Sequence, residues 1–566
     1  MKAQENMSTE ESIGSGTAQS LRPSTVEGKS ATEIAWWLNE HGFATELVRE
    51  GTTIGGITMD SREVQPGDLY VALPGAKSHG AQFADLAVSS GAAALLTDRA
   101  GVDLVGELPG EVGLLVSENL RELVGPLSAV IYNSQPQDGS APTLFAVTGT
   151  NGKTTTTYMI NSIMQKLGHT TGLIGTIEIL AGSQPIPSKL TTPESPHVHS
   201  LISLMSERGI SSMAMEVSSH ALDYHRVDGV RYDVSGFTNL TQDHLDLHGT
   251  MESYCASKAA LFTPEKSRRA VICADDSWGQ TMLDRARTAM GAENVVALTT
   301  HFGRGVQELP AHLGRQDWVL TEVEREGIGH RFTVVRGDGA RIESSTQLPA
   351  DFNVSNAALA AVMVYESGQN TADLAARLAE AETLTPVVPG RMQLIGTAPT
   401  AIVDFAHNPD ALQRALEAID PAHEDGRVMI VFGATGERDQ LKRPIMGEIA
   451  ARHADVVIIT DDDPHDEAPE PIRAAVEAGA RDAQKDGARA AEILNLAPRA
   501  AAIEKAIDLA GPHDSILVAG RGHEVAQEVA GVNLDLDDRV EVARALAHHG
   551  FEVLPAYRSM LGDASA

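Results

Sequence analysis

The chain has 566 residues, 42% of them hydrophobic, and a formal charge of −33 at neutral pH. That length exceeds one ordinary core and suggests about three domains, while the acidity argues against nonspecific nucleic-acid binding, which needs concentrated Lys and Arg. No apolar run approaches the ~20 residues that span a bilayer, and the only two cysteines, Cys255 and Cys273, provide no disulfide framework, so a reducing, cytoplasmic setting is expected.

Residues 1–25 begin "MKAQENMSTEESIGSGTAQS", a polar stretch without an apolar signal core, and read as a disordered tail. A first domain is expected over 26–140, opening on the amphipathic "ATEIAWWLNEHG" and closing at the polar "NSQPQDGSAP". A second, over 141–385, opens on the strand-like "TLFAVTG". The third, 386–566, holds "AIVDFAH", "RVMIVFGA", "ADVVIITDD" and "SILVAGRG", four apolar runs that each end in polar or glycine residues. Each reads as a parallel strand feeding a loop at its carboxyl end, where open α/β sheets bind ligands. The expected fold class is therefore α/β in three domains. The centre is a P-loop ATPase-like parallel sheet and the carboxyl-terminal part a Rossmann-like domain.

"VTGTNGKTTTT" (147–157) raises the first chemical question. The strict Walker A spacing fails, because its first glycine would fall at Val147 or Thr148. The mechanical parts survive: an apolar run, a turn through Gly149, Thr150, Asn151 and Gly152, then Lys153, Thr154 and Thr155 opening a helix. Backbone N–H groups and a helix start favour an anion there. Lys153 would reach the β- and γ-phosphates of ATP, and the Thr154 hydroxyl would sit on Mg²⁺.

Other stretches narrow the reading. "MEVSSHALDYHRV", "FTNLTQDHLDLHG", "YCASKAALF", "DFNVSNAALA", "PGRMQ", "VDFAHNPDAL" and "VFGATGERDQLKRPIM" follow in order. Together they closely resemble the Mur ligase family, and within it the branch that adds the third amino acid of a UDP-sugar peptide in cell-wall precursor synthesis. The resemblance runs from about Ile57 to Leu546.

On spacing alone, Glu216 reads as a surface carboxylate and His244 as a loop hydrogen bond. The resemblance instead makes them Mg²⁺ ligands with Thr154, and makes Lys258 a carbamylated lysine that helps hold a second Mg²⁺. It implies nucleotide contacts for Asn356, Arg391, Asp404 and His407. For the UDP-sugar peptide it implies Met59, Ser61, Arg62, Ala76, Lys77 and Ser78, then Thr191, Thr192, Ser218, Tyr224 and Arg226. Two departures stand out, Leu190 where the family often has Asn and Tyr224 where it has Gln. His220, His225 and His248 read as structural or substrate-positioning groups, and Cys255 as packing.

The incoming amino acid is expected at Arg438, Asp462, Asp463, Pro464, His465, Gly520 and Glu524. Family members that add meso-diaminopimelate carry Asp-Asn-Pro-Arg where this chain has Asp462, Asp463, Pro464 and His465. An imidazole is a poor substitute for a bidentate guanidinium, and Asp463, Asp466 and Glu467 suggest a field hostile to a second carboxylate. L-lysine or L-ornithine is expected ahead of meso-diaminopimelate. A folylpolyglutamate synthase-like ligase and a noncatalytic nucleotide switch are the rival readings. Small-molecule substrates, no nucleic acid, no membrane insertion and a monomer complete the expectation.

Overall fold

The computed structural model describes residues 22–75, 77–182, 184–187, 190–300, 314–326, 328–419, 425–437 and 439–561. The chain forms two compact units, one running to Gly139 and including Ser195–Arg208, the other Ser140–Glu194 and Gly209 onward.

In the first unit, five strands lie in the spatial order Thr45–Arg49, Gly113–Ser117, Ala94–Thr97, Asp68–Ala72 and Gly56–Thr58. Only Thr45–Arg49 pairs antiparallel. Alternation along Asp68–Ala72 sends Leu69 and Val71 to one core and Tyr70 and Ala72 to the other, so both sheet faces are covered. The helix Ala31–Glu40, started by a Ser30–Glu33 capping box, packs on the first face beside Leu120–Tyr132. Helix Ser195–Glu207, expected in the central block, belongs here, where Ser134 Oγ and His199 Nδ1 stand 2.8 Å apart.

The tail expected over 1–25 falls mostly outside the described residues, but its last four residues are part of the fold. Arg22 pairs with the buried Asp68 carboxylate, and the Ser24 amide donates to Glu207 at 2.7 Å. Arg22→Ala would leave Asp68, 2% exposed in its side chain, without its cation. A loss of about 3 kcal/mol is expected, because removing one partner strands a buried charge. Urea unfolding reads it; a loss within ~0.5 kcal/mol would mean the pair behaves as a surface contact.

The second unit holds an eleven-stranded sheet and a six-stranded one. Seven strands of the larger sheet are mutually parallel: Trp318–Glu326, Val295–Thr299, Ser267–Cys273, Tyr232–Phe237, Thr143–Thr148, Ser212–Glu216 and Thr171–Ile174 in spatial order. Antiparallel strands close both edges. The strand Thr143–Thr148 lies inside the sheet, with Glu216 in register with Val147 and Phe237 with Thr148. That register brings the ends of both neighbouring strands to the glycine turn. Helix Asp351–Glu366 is apolar nearly all round and correspondingly buried.

The six-stranded sheet runs Gln393–Thr397, Thr400–Asp404, Ser515–Ala519, Val428–Phe432, Val456–Ile459 and Glu492–Asn495, parallel except for its first pair. Met429, Val431, Ile516 and Val518 face helices Arg499–Leu509 and Asp538–His548, while Ile430, Phe432 and Leu517 face helices Pro409–Glu417, Lys442–His453 and Pro469–Lys485. The architecture is the expected α/β, with helices on both faces of the carboxyl-terminal sheet. No helix among the described residues is long and apolar enough to cross a membrane.

Candidate active site

Gly149 and Gly152 adopt positive φ values of 147° and 90°, and both sit where a Cβ would collide: with Thr238 at the first, with Asn356 at the second. The loop between them is held from behind. The Thr150 amide donates to Asn239 O at 2.9 Å and the Asn151 amide to Asn239 Oδ1 at 3.0 Å, while Thr238 Oγ1 donates to Asn151 O at 2.6 Å. Lys153 Nζ donates to the carbonyls of Gly149 and Thr150 at 3.0 and 2.9 Å. Burial lowers its pKa, against the pull of Glu216 and Asp243.

Glu216 is fully buried at its strand end. It accepts from Thr154 Oγ1 at 2.9 Å, the Thr176 amide at 2.8 Å and Thr176 Oγ1 at 3.0 Å. The surface reading that spacing alone suggested for Glu216 is thereby corrected. His244, at φ 52°, stands edge-on to His220 with ring centroids 5.0 Å apart. Desolvation takes its pKa down to about 4, with His220, Lys153 and Lys258 adding to the fall and Asp243 opposing it. His248 stands 3.0 Å from Ser219 Oγ and stacks on Tyr254, and His225 is 2.7 Å from Asp228.

Lys258, 1% exposed, also donates to the Gly149 carbonyl, at 2.8 Å. Burial first, then the neighbouring Lys153, drives its pKa well below the usual lysine value. Two lysines thus converge on one carbonyl oxygen. Cys255 is buried packing.

A cleft of about 1440 Å³ joins these groups to the carboxyl-terminal segment. Lys153, Thr154, Glu216, His244, Asn356, Arg391, Asp404 and His407 all line it. Arg391 stacks on Phe405 at 4.1 Å from the ring centre and reaches Thr154 Oγ1 at 3.5 Å. Asp404 accepts from the amides of Met392 and Ala406 at 2.6 and 2.8 Å, so part of its capacity shapes its own loop. Burial lowers the His407 pKa. Asn151 Nδ2 donates to Asp410 at 3.0 Å, tying the glycine turn to the segment after Asp404.

The residues expected to hold the UDP-sugar peptide are divided between the two units. Met59, Ser61, Arg62, Lys77 and Ser78 lie in the first; Ala76 is outside the described residues. Arg62 is 80% exposed at its side chain and forks onto Asp60 at 2.9 and 2.6 Å. Thr191, Thr192, Ser218 and Arg226 line the cleft of the second unit, whereas Tyr224 does not. Thr192 Oγ1 donates to Glu216 O at 2.8 Å, and Arg226 pairs with Glu194 at 2.8 Å.

The residues expected to read the amino acid sit on loops at strand ends of the smaller sheet, apart from Arg438, which is outside the described residues. Asp462 Oδ2 is buried without a hydrogen-bond partner, and a Cβ on Gly520 would strike it. Glu524 is pushed up to about 8 by desolvation and by Asp462. His465, at φ 52°, turns its Nδ1 to Glu528 at 3.1 Å. Of the three carboxylates expected to make an acidic field, Glu467 and Asp463 each have an arginine partner. Arg443 forks onto Glu467 at 2.7 Å through both terminal nitrogens, and the fully buried Arg521 pairs with Asp463. The expectation that Asp463 and Glu467 act as unpaired charges is corrected accordingly.

Sequence reasoning missed Thr238 and Asn239, which brace the loop, and Asp243, whose carboxylate faces His407 at 4.0 Å. Their stretch was singled out, but only His244 was chosen from it. Among the described residues, three ligand-type side chains converge at Glu504, His548 and His549. Both imidazoles contact one Glu504 oxygen at 2.7 and 2.8 Å, and none of the three lines the cleft.

Three family descriptions match in order: the Mur ligase family catalytic domain over residues 53–135, the Mur ligase middle domain over 147–364 and the Mur ligase glutamate ligase domain over 390–522. A UDP-N-acetylmuramoyl-L-alanyl-D-glutamate--2,6-diaminopimelate ligase of Corynebacterium efficiens is 39% identical over 530 residues, 90% of this chain and 96% of its own. The chain belongs to the Mur ligase family. A UDP-N-acetylmuramyl-tripeptide synthetase of Leifsonia xyli is 38% identical, covering 89% of this Mur ligase and 93% of its own chain. A solved structure of a UDP-N-acetylmuramoyl-L-alanyl-D-glutamate--2,6-diaminopimelate ligase superposes with a TM-score of 0.58 at 27% identity, over 88% of this chain and 96% of that one. This Mur ligase is an ATP-dependent acid–amino-acid ligase, as the sequence led one to expect.

Proposed function

We propose that this Mur ligase joins an amino acid to UDP-N-acetylmuramoyl-L-alanyl-D-glutamate in the cytoplasm, and that the amino acid is 2,6-diaminopimelate. One observation carries the reaction: the phosphate loop, Glu216, His244 and Arg391 share a single cleft of about 1440 Å³. The names of relatives 38–39% identical carry the amino acid, so they support the alternative rather than the expected L-lysine or L-ornithine.

The substrate's terminal carboxylate oxygen attacks the γ-phosphorus, ADP leaves and an acyl phosphate forms. The incoming amine attacks the acyl carbon, sheds a proton, and phosphate leaves as the amide forms. Lys153 exchanges its loop carbonyls for the β- and γ-phosphate oxygens, and Arg391 adds a second positive charge to the same cleft. Alignment of three charged reactants supplies most of the acceleration. Thr154 Oγ1 and Glu216 Oε2, hard oxygens 2.9 Å apart, suit Mg²⁺. His244, whose pKa is lowered to about 4, lines the same cleft and as a neutral imidazole would offer a nitrogen lone pair. An ammonium at Lys258 does not suit a cation site, whereas a carbamate does. Held by Thr154 and Glu216, Mg²⁺ would supply neutralisation of the phosphate charge.

Phosphate release with each substrate omitted in turn tests the reaction; turnover independent of the UDP-sugar peptide would overturn it. Equal meso-diaminopimelate, L-lysine and L-ornithine in competition, followed by product mass, tests the amino acid. The diaminopimelate product is expected to dominate. A lysine or ornithine product would favour the second reading, which rests on His465 standing where diaminopimelate-adding members have Arg.

A further inference from the structure

Arg499 lies outside every motif that led to the site, yet it is fully buried and opens the helix Arg499–Leu509. Its guanidinium spends donors in three directions. Nε and Nη2 fork onto the equally buried Asp538 at 2.8 Å each. Nη1 donates to the carbonyl of Asp461 at 3.1 Å, and Nη2 to the carbonyl of Ala519 at 2.7 Å. These two carbonyls belong to the residues immediately before Asp462 and Gly520.

We propose that Arg499, anchored by Asp538, is a positioning residue that sets the spacing between the loop bearing Asp462 and the loop bearing Gly520 and Glu524. This rests on the reading of those loops as the place where the amino acid binds. The spacing is tight: Asp462 Oδ2 is buried and unpartnered, and it faces the side of Gly520 where a Cβ would collide. Asp538 lies in the first turn of the helix Asp538–His548, so the fork is fixed to a rigid element rather than to either loop. A planar guanidinium can hold a carboxylate and two divergent carbonyls at once. A lysine ammonium, a point charge on a flexible stem, cannot reproduce that fork.

Steady-state kinetics of Arg499→Lys, varying each substrate in turn, reads the proposal. The KM for the amino acid is expected to rise about tenfold to a hundredfold, the scale of a displacement near 1 Å. The KM values for ATP and the UDP-sugar peptide should stay within about twofold. If Arg499→Lys does not fold by circular dichroism, Asp538→Asn, which loosens the anchor but keeps an acceptor, should give the same split. Three KM values moving together, or none moving, would overturn the proposal. Asp462→Asn and Glu524→Gln separate the two levels. If they raise the amino-acid KM and Arg499→Lys does not, the positioning role fails. If neither raises it, the reading of these loops fails.

Discussion

Lys153→Ala is expected to lower the rate of phosphate release by about 10³-fold or more, near 4 kcal/mol of transition-state stabilisation. The ammonium now rests on two carbonyls of its own loop, at 3.0 and 2.9 Å from Gly149 and Thr150. Charged phosphate oxygens are stronger acceptors than those carbonyls, and no neighbouring group takes over the role of the lost ammonium. Glu216 is anionic and held by Thr154 and Thr176, so it cannot replace the lost cation, and Arg391 is held on the Phe405 ring. The fold should survive, because the Gly149 carbonyl keeps its bond from Lys258 at 2.8 Å and Thr150 lines the cleft. The same residue predicts a pH signature. Burial lowers its pKa in the free enzyme, and a triphosphate beside it would raise that pKa again. Nucleotide affinity is then full below the free-enzyme pKa and declines as pH rises toward the pKa of the complex. In the Ala variant this decline should disappear from a titration of ATP affinity against pH. A variant turning over within about tenfold of the parent would remove the loop from the chemistry.

Local pattern made the parallel strands legible. "TLFAVTG", "RVMIVFGA" and "SILVAGRG" are short apolar runs ending in residues that tolerate a turn, and each is a strand in a sheet covered on both faces. That the helix Ser195–Glu207 packs on Leu120–Tyr132 was not legible, because the two lie far apart in sequence. The same limit governed the site. Lys153, Thr154 and Glu216 carry local signatures, but the bracing by Thr238 and Asn239 follows from Tyr232–Phe237 lying beside Thr143–Thr148, a register no motif encodes. The acidic run 461–467 misled for a related reason. Net charge along a segment says nothing of its partners, and Arg473, Arg521 and Arg443 arrive from other elements to pair with Asp461, Asp463 and Glu467. These three carboxylates are partly buried, and the arginines that pair with them are placed there by the fold rather than by the local sequence.

Lys258→Ala is expected to lose at least about 10²-fold in turnover, and Lys258→Glu to retain clearly more. As a free amine, Lys258 is in an awkward place. Its Nζ and that of Lys153 both contact the Gly149 carbonyl, at 2.8 and 3.0 Å, so the two nitrogens are at most about 5.8 Å apart. Two positive charges that close repel by at least ~3 kcal/mol at an effective dielectric near 20. Burial and this repulsion act in the same direction and drive the Lys258 pKa well down, which exposes the nitrogen lone pair. A neutral amine can attack the carbon of CO₂; a C–N bond forms, one C–O π pair moves onto oxygen, and one proton is released. The product is a carbamate anion. It would turn a repulsive pair of cations into an attractive pair of opposite charge and would add an oxygen donor where an ammonium would oppose Mg²⁺. Glutamate supplies the charge without CO₂, so the parent enzyme should lose activity in CO₂-depleted buffer and regain it with bicarbonate, while Lys258→Glu responds to neither. A carbamate resonance from ¹³C-labelled bicarbonate, absent in the Glu variant, is the direct readout. Equal activity in the Ala and Glu variants would mean that the charge at this position does no work, and Lys258 would then be only the brace on Gly149 that its hydrogen bond already makes it.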